Sequence, residues 1–327
     1  MVVCMQKALY PLQFEPIFKK VVWGGTRLRQ FLGKEQDPAP TGEAWVLSDQ
    51  GTHASEIANG PLRGITIRDL LLTRGAELIG SSPDANGRFP LLLKFLDARE
   101  NLSVQVHPND HQARRMDPNG CGSGKTEAWV ILDALPGSTL YAGLLEGVDQ
   151  QTYQQALRTG TLPNLLHTFE PRPGDCIFLE AGTVHAIGSG LFLFEVQQTS
   201  DITYRLYDWD RVEAHTGQPR TLHIDEGVAC TDYSRGPQNP VAGVTFAHGE
   251  RLVDCPYFTL DRRNLSSPQT ITQNNRFRIL VCIQGSAILS DGTHKLTLTP
   301  GTVTLIPACT TQVQLLPCPN ITLLDIQ

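Results

Sequence analysis

The sequence predicts a mainly β protein with a jelly roll that carries helical insertions, followed by a second, degenerate jelly roll. Glycine (29 residues) and proline (22 residues) interrupt many short runs of β-forming residues, as is usual where tight turns join short strands. A unit made of a Pro-Gly turn, a β run and a small-residue turn occurs twice, at residues 172–188 and 298–308. Repetition of this unit is typical of the jelly rolls called cupins.

The length of 327 residues exceeds the usual size of one compact core, so two domains are expected. We place the first at residues 1–235 and the second, cupin-like domain at residues 236–327. The second copy of the unit has Cys309-Thr-Thr where the first has Thr183-Val-His185, so it lacks the histidine and is expected to hold no metal.

Three helical insertions are expected in the first domain, at about 62–80, 109–118 and 149–170. The first has apolar residues at helical spacing after Thr66, a candidate N-cap. Residues 128–134 and 139–143 are expected to form two strands that pair with each other.

Composition and charge limit the classes of partner. Hydrophobic residues make up 40% and charged residues 18%, as in soluble globular enzymes, and the net charge of −6 comes with no evident basic patch. Nucleic acid is therefore not an expected partner, whereas a local basic cluster could still bind a small anion. The sequence has no apolar run long enough to span a membrane, so no membrane association is expected. Its eight cysteines form no CxxC pair, which favours reduced thiols in a cytoplasmic protein.

Residues 101–107, Asn-Leu-Ser-Val-Gln-Val-His, alternate apolar and polar side chains. In a strand, Ser103, Gln105 and His107 would share one face. Pro108 cannot donate a ladder hydrogen bond and is expected to end the strand. This polar row fits the mouth of a β-barrel, although a solvent-facing edge strand would show the same pattern.

A four-ligand metal site can be assembled from residues at or beside predicted strands. The candidates are Gln105, His107, Glu127 and His185. Two imidazoles, a carboxylate and an amide oxygen would hold Zn²⁺ at about 2.0–2.2 Å and leave room for water or substrate oxygens.

Other charged residues occupy unusual places. Glu195 faces inward on an apolar strand, where burial is expected to raise its pKa. Lys94 interrupts an apolar run, so it must either extend to solvent or line a polar cavity as an anion ligand. Asp201 and Arg205 lie four apart in a segment expected to be irregular, and a surface salt bridge is the alternative interpretation of this pair.

The order of four motifs resembles that of type I mannose-6-phosphate isomerase (phosphomannose isomerase), and in particular its short bacterial form. The motifs are Leu-Ser-Val-Gln-Val-His-Pro at 102–108, Gly-Lys-Thr-Glu-Ala-Trp at 124–129, Gly-Thr-Val-His-Ala-Ile-Gly at 182–188 and Gln-Thr-Ser-Asp-Ile-Thr-Tyr-Arg at 198–205. The resemblance extends over roughly residues 12–215, and the C-terminal part shares only a general cupin character.

The resemblance implies a cytoplasmic enzyme with one Zn²⁺ per chain that interconverts mannose 6-phosphate and fructose 6-phosphate. The family's metal ligands fall on Gln105, His107, Glu127 and His185, and its active-site positions fall on Ser103, Lys125, Glu195, Asp201 and Arg205. Lys94 matches a basic position of the family's pocket. A monomer or weak homodimer is expected.

An aldose–ketose exchange moves a proton between neighbouring carbons through a cis-enediol. We expect Glu195 to act as the base, Arg205 and Lys125 to stabilise anionic oxygens, and Asp201 to orient one of these two cations. Ser103, Lys94 and Arg205 are then the substrate-binding candidates, with Ser103 and Lys94 at the phosphate.

Two other functions remain compatible with parts of this pattern. Two histidines and one glutamate also form the ligand set of iron-dependent cupin oxygenases, although Gln105 would occupy a coordination position that such enzymes leave open. A sugar-binding cupin without catalytic activity is the second alternative. It is disfavoured because the N-terminal copy keeps all the candidate ligands.

Overall fold

The computed structural model describes residues 8–35, 37, 39–116, 122–213 and 217–327. Within these residues the helices are α1 (Arg27–Phe31), α2 (Ile67–Leu78), α3 (Asp110–Met116), α4 (Gln150–Thr159) and α5 (Ile224–Cys230). The strands are β1 (Leu12–Gln13), β2 (Ile17–Lys19), β3 (Glu43–Leu47), β4 (Asp49–Gln50), β5 (His53–Ala54), β6 (Leu91–Asp97), β7 (Val104–Val106), β8 (Glu127–Ala134), β9 (Leu140–Leu144), β10 (Leu166–Phe169), β11 (Cys176–Leu179), β12 (His185–Ile187), β13 (Leu191–Gln198), β14 (Tyr204–Tyr207), β15 (Val244–Phe246), β16 (Gly249–Asp254), β17 (Thr259–Leu265), β18 (Gln269–Thr272), β19 (Arg278–Ser290), β20 (Lys295–Leu298), β21 (Val303–Ile306) and β22 (Gln312–Ile326).

The predicted mainly β fold is confirmed. Cys4, Cys121 and the last residues of the insertion expected at 109–118 lie outside the described residues. Among the helices that are described, none has the length and apolar character needed to cross a membrane.

The chain divides into two compact units that are discontinuous in sequence. The first contains the chain up to Ile17, Val46–Pro90 and Ala242–Gln327, and the second contains Phe18–Trp45 and Leu91–Val241. The chain passes from the second unit to the first for the last time between Val241 and Ala242, which is close to the boundary that we expect after residue 235. In contrast, the segment that carries the expected insertion at 62–80 groups with the C-terminal residues.

The first unit is built on a nine-stranded sheet with the order β1-β21-β19-β22-β17-β16-β15, in which β18 also pairs with β22 and β20 with β19. Its core is formed by the apolar side chains that alternate along β19 and β22, such as Leu280, Leu289 and Leu323. Helix α2 begins where the side chain of Thr66 accepts a hydrogen bond from the backbone N–H of Asp69, at 3.1 Å, as an N-cap does.

The second unit contains two sheets. The five-stranded sheet has the order β10-β9-β12-β7-β14, and the six-stranded sheet has the order β11-β8-β13-β6-β3-β2. Every residue of β6 and β13 is buried, which is why these strands are apolar almost throughout. The polar residues on these buried strands are Lys94, Asp97, Glu195, Gln197 and Gln198. Lys94 and Glu195 lie opposite each other in register, so this charged pair marks where a site can lie.

Three local expectations differ from the structure. The insertion expected at 149–170 is α-helical only to Thr159, because Gly160 adopts the left-handed conformation that commonly ends a helix. A short 3₁₀ helix at Leu162–Leu165 and then β10 follow. Strands β8 and β9 lie in different sheets and do not pair with each other. Arg205, expected in an irregular segment, lies on β14.

Candidate active site

Strand β7 places the polar row in the interior of a sheet. It lies between β12 and β14, with Gln105 opposite both His185 and Arg205. The side chain of His107, just after the strand, is 2% exposed. The edge-strand interpretation of this row is therefore wrong. Pairing of β7 with β12 and β14 brings His185 and Arg205, which are distant in sequence, next to Gln105.

The structure brings three of the four predicted metal ligands into one buried cluster. The candidate ligand atoms of His107, Glu127 and His185 all lie within 4.8 Å of one another. The Nε2 atom of His185 lies 3.2 Å from Oε1 of Glu127, and Nε2 of His107 lies 3.7 Å from Oε2. The fourth, Gln105, lies beside the cluster, with its amide nitrogen 3.2 Å from Nε2 of His185.

Both imidazoles present Nε2 to the cluster because Nδ1 has another partner. Nδ1 of His107 lies 2.9 Å from the carbonyl oxygen of Ile202, and Nδ1 of His185 lies 2.9 Å from that of Thr183. A carbonyl can only accept, so Nδ1 carries the proton and the lone pair of Nε2 points into the cluster. Burial lowers the pKa of His185 to about 4 and that of His107 well below its ordinary value, so both rings are neutral at pH 7.

Glu127 contributes a carboxylate, and with it a negative charge when ionised, to the cluster. Both of its carboxylate oxygens are buried, and they face the Nε2 atoms of the two histidines and the ammonium of Lys125. Burial raises the pKa of Glu127 to about 7, and the charge of Lys125 opposes this shift. The Lys125 Nζ lies 2.9 Å from Oε2 of Glu127 and 3.0 Å from Nε2 of His107, so a positive charge already sits beside the ligand atoms. Two neutral imidazoles, an amide and a buried carboxylate suit a divalent metal such as zinc.

Glu195 lies on β13 between two partners. Nζ of Lys94 lies 3.0 Å from Oε1, and the indole N–H of Trp129 donates to Oε2 at 3.0 Å. Burial by itself would raise the pKa of Glu195, but Lys94, Lys125 and the bond from Trp129 together hold it below its ordinary value. The expectation of a raised pKa is therefore wrong, because nearby cations outweigh desolvation.

Lys94 does not extend to solvent. Its side chain is 5% exposed, and a second carboxylate, that of Glu43, lies 3.8 Å from Nζ. Burial disfavours its charge, but Glu195, Glu43 and Asp201 raise its pKa above the ordinary value.

A cavity of about 330 Å³ connects these groups. Its lining residues are Val21, Trp23, Glu43, Lys94, Leu96, Leu102, Ser103, Gln105, Lys125, Ile187, Glu195, Asp201, Thr203, Arg205 and Arg220. All of the predicted catalytic and substrate-binding residues therefore line one cavity. The proposed ligand Gln105 also lines it. Gln105 contacts His185 and Lys125 contacts His107, so the cavity adjoins the buried cluster.

Two guanidinium groups lie at this cavity. Arg205 donates to the carbonyl oxygen of Thr221 at 2.9 Å, and its buried Nε has no hydrogen-bond partner. Burial and the nearby charge of Arg220 lower the pKa of Arg205. Arg220 is held by the buried carboxylate of Asp208, to which Arg211 also donates. Among the described ion pairs none joins Asp201 to Arg205, so the surface salt bridge considered for that pair does not form.

The sequence did not single out Glu43, Trp129 or Arg220. Glu43 could have been noticed as a carboxylate that opens the apolar run Ala-Trp-Val-Leu at 44–47. Arg220 has no local signal, because the segment around it is polar throughout.

Comparison with known proteins assigns the chain to a family. The family model "Phosphomannose isomerase type I, catalytic domain" matches residues 11–129, and "Mannose-6-phosphate isomerase, cupin domain" matches residues 249–316. Mannose-6-phosphate isomerase ManA of Bacillus subtilis is 34% identical over 305 residues, which cover 91% of this chain and 93% of the relative. The chain belongs to the type I mannose-6-phosphate isomerase family.

Solved structures of the isomerase family share this fold. The crystal structure of mannose 6-phosphate isomerase from Bacillus subtilis matches with a TM-score of 0.87 and 29% identity, covering 98% of this chain and all of that one. A mannose 6-phosphate isomerase described as bound with zinc and yttrium has a TM-score of 0.77 at 19% identity, covering 97% and 99% of the two chains. The predicted resemblance and the predicted cupin class are confirmed.

Proposed function

We propose that this chain is a zinc-dependent enzyme that interconverts mannose 6-phosphate and fructose 6-phosphate. The observation that carries the proposal is the buried cluster of His107, Glu127 and His185 beside a cavity lined by carboxylates, lysines and arginines. Relatives that match along most of this chain are named for this activity. A mannose 6-phosphate isomerase of the same fold is described as bound with zinc.

Gln105, His107, Glu127 and His185 would hold one zinc ion per chain. Their donor atoms fit the metal, because both imidazoles are neutral and the buried Glu127 carboxylate faces the Nε2 atoms of both rings. A bound zinc ion supplies Lewis acidity, which stabilises negative charge on a sugar oxygen.

Glu195 is the proposed base. It takes the proton from C2, next to the C1 carbonyl, and returns it to C1, while the hydroxyl proton passes from O2 to O1, so that the substrate passes through a cis-enediol. Its pKa lies below the ordinary value, so the carboxylate is ionised and able to accept a proton at pH 7. Its position opposite Lys94 and Trp129 fixes the direction from which it can approach the sugar.

Cationic groups stabilise the oxygens that become anionic during the proton transfer. Lys125 lines the cavity next to the proposed ligands, and Arg205 lines it with a free buried Nε. Asp201, also at the cavity, is exposed and is proposed to orient one of these cations. Because burial holds the Lys125 and Arg205 charges in place before the reaction, they need little reorganisation when charge develops.

The phosphate end of the substrate is proposed to lie at Ser103, Arg205 and Arg220. Lys94, expected from the sequence to bind the phosphate, stays a prediction in that role. The ammonium of Lys94 is already paired with Glu195 and Glu43. Among the described ion pairs none includes Arg205, which lies near the like charge of Arg220, and Asp208 holds Arg220 in place at the cavity. Guanidinium groups also match the geometry of phosphate oxygens.

Isomerisation of mannose 6-phosphate, coupled to reduction of NADP through the fructose 6-phosphate formed, tests the proposal. It is measured before and after chelation, together with metal content by mass spectrometry. We expect activity that falls with zinc loss and returns when zinc is added back. Iron as the bound metal with oxygen consumption would favour the oxygenase, and sugar phosphate binding without turnover would favour the binding protein.

We also propose that the enzyme acts in the cytoplasm as a monomer or weak homodimer. Light scattering after size-exclusion chromatography, repeated over a range of protein concentrations, tests the state of association. A concentration-independent higher oligomer would contradict it.

A further inference from the structure

The indole N–H of Trp129 donates its hydrogen bond to a side-chain carboxylate and not to a backbone carbonyl. Trp129 is fully buried on β8, and its Nε1 donates to Oε2 of Glu195 at 3.0 Å. By comparison, Nε1 of Trp209 donates to the backbone carbonyl of Leu102 at 2.6 Å. A buried indole needs an acceptor in either case, but only Trp129 satisfies that need with the side chain proposed as the base.

Strand register places Glu195 between Trp129 on one neighbouring strand and Lys94 on the other. Glu195 on β13 pairs directly with Lys94 on β6 and with Trp129 on β8. The two neighbours hold different oxygens of the same carboxylate, Oε1 by Lys94 and Oε2 by Trp129. The carboxylate is thus restrained from both sides, and its plane cannot rotate without losing one of these contacts.

Trp129 also contacts the other end of the site. Its ring packs edge-on against His185, with ring centroids 5.3 Å apart and planes at 77°. Because Trp129 follows Glu127 by two residues on the same strand, both side chains point to the same face of β8. One rigid side chain therefore lies between the proposed base and the proposed metal ligands.

We propose that Trp129 is a positioning residue that sets the orientation of the Glu195 carboxylate for proton transfer. The inference rests on the proposed function, with Glu195 as the base. Trp129 lines no part of the cavity as described above and touches no substrate, so it acts through Glu195. Losing its N–H frees the carboxylate to rotate about its terminal torsion, which lowers the fraction of enzyme in a reactive geometry.

The test is Trp129→Phe, which removes the N–H and keeps a ring beside His185. We expect kcat to fall by about ten- to a hundredfold, as is usual when a side chain that orients an active-site group is lost. The KM for mannose 6-phosphate and the zinc content should stay within about twofold of wild type, because no substrate or ligand contact is removed. Trp209→Phe is the matched control, since it loses an equivalent N–H from a backbone carbonyl, and its kcat should stay within about twofold.

A double-mutant cycle separates positioning from a general packing defect. In the Glu195→Gln background, assayed at raised enzyme concentration, Trp129→Phe should change kcat by less than about twofold, because no base is left to orient. Should the Phe variant fail to fold, Trp129→Met carries the same test, because methionine has no N–H or O–H donor and its flexible side chain fills irregular gaps.

Four results would overturn the inference. They are an unchanged kcat, a loss no larger than in Trp209→Phe, the same loss in both backgrounds, or a loss explained by missing zinc. A wild-type enzyme with no isomerase activity would instead refute the proposed function, so the two failures are distinguishable.

Discussion

Replacement of Lys94 by methionine would test the electrostatics at the centre of the site. Methionine keeps the length and apolar stem of the side chain and removes only the charge. In the native protein, Nζ of Lys94 lies 3.0 Å from Oε1 of Glu195, and both side chains are at most 5% exposed. At that distance, an effective dielectric constant of about 20 gives an attraction of about 5.5 kcal/mol. The substitution leaves Glu195 buried without its nearest cation, and we expect a loss of about 3–5 kcal/mol in the free energy of unfolding at pH 7.

The loss should depend on pH in a defined direction. In the wild type, the pKa of Glu195 is below its ordinary value, so the ionised carboxylate adds stability above the unfolded pKa of about 4.3. This contribution disappears as the pH falls through the folded pKa. In the variant, burial is no longer opposed by Lys94, so the folded pKa rises and the carboxyl can take up a proton in the native state. The difference between the two proteins should therefore be larger at pH 8 than at pH 5.

Urea unfolding followed by circular dichroism measures this difference, and Lys19→Met is the matched control. Lys19 lies over the same Trp45 ring as Lys94, with Nζ 4.4 Å from the centroid against 5.4 Å for Lys94, but it is only partly buried. Its loss should cost about 1 kcal/mol or less. The double variant Lys94→Met/Glu195→Gln should recover part of the stability, because neither partner is then a buried unpaired charge. A loss equal to that of Lys19→Met, or one that does not change between pH 5 and pH 8, would refute the reasoning.

Three further predictions concern the metal, the base and the phosphate. His185→Ala should remove zinc and activity together, as seen by mass spectrometry and the coupled assay, and full activity without metal would defeat the proposed site. Glu195→Gln should retain zinc and lower kcat by about 10²- to 10⁴-fold, whereas a near-normal kcat would move the base role to another group. Arg220→Gln should raise the KM for mannose 6-phosphate by about tenfold or more, since a charge-assisted hydrogen bond contributes about 1.5–3 kcal/mol. Arg211→Gln, which also loses a bond to Asp208, should leave KM unchanged, and an equal effect of the two would contradict the phosphate assignment.

The sequence by itself determined the class of fold and the identity of the candidate ligands. Alternation along residues 102–107 is a local property of a strand, so Gln105 and His107 could be placed on one side of it without a structure. The order of the four motifs was enough to identify the family, which the comparisons confirm. Thr66 could be recognised as an N-cap because capping involves residues only a few positions apart.

Only the tertiary structure decided how the strands pair and how the charges inside the site balance. Strands β8 and β9 are adjacent in sequence but belong to different sheets, and no local pattern encodes that choice. The pKa of Glu195 depends on Lys94, about a hundred residues away in the chain, and so the expected direction of its shift was wrong. Arg220 reaches the cavity because Asp208 holds it there. Local patterns predict which face a side chain occupies, whereas electrostatic energy depends on distances that exist only after distant segments have packed together.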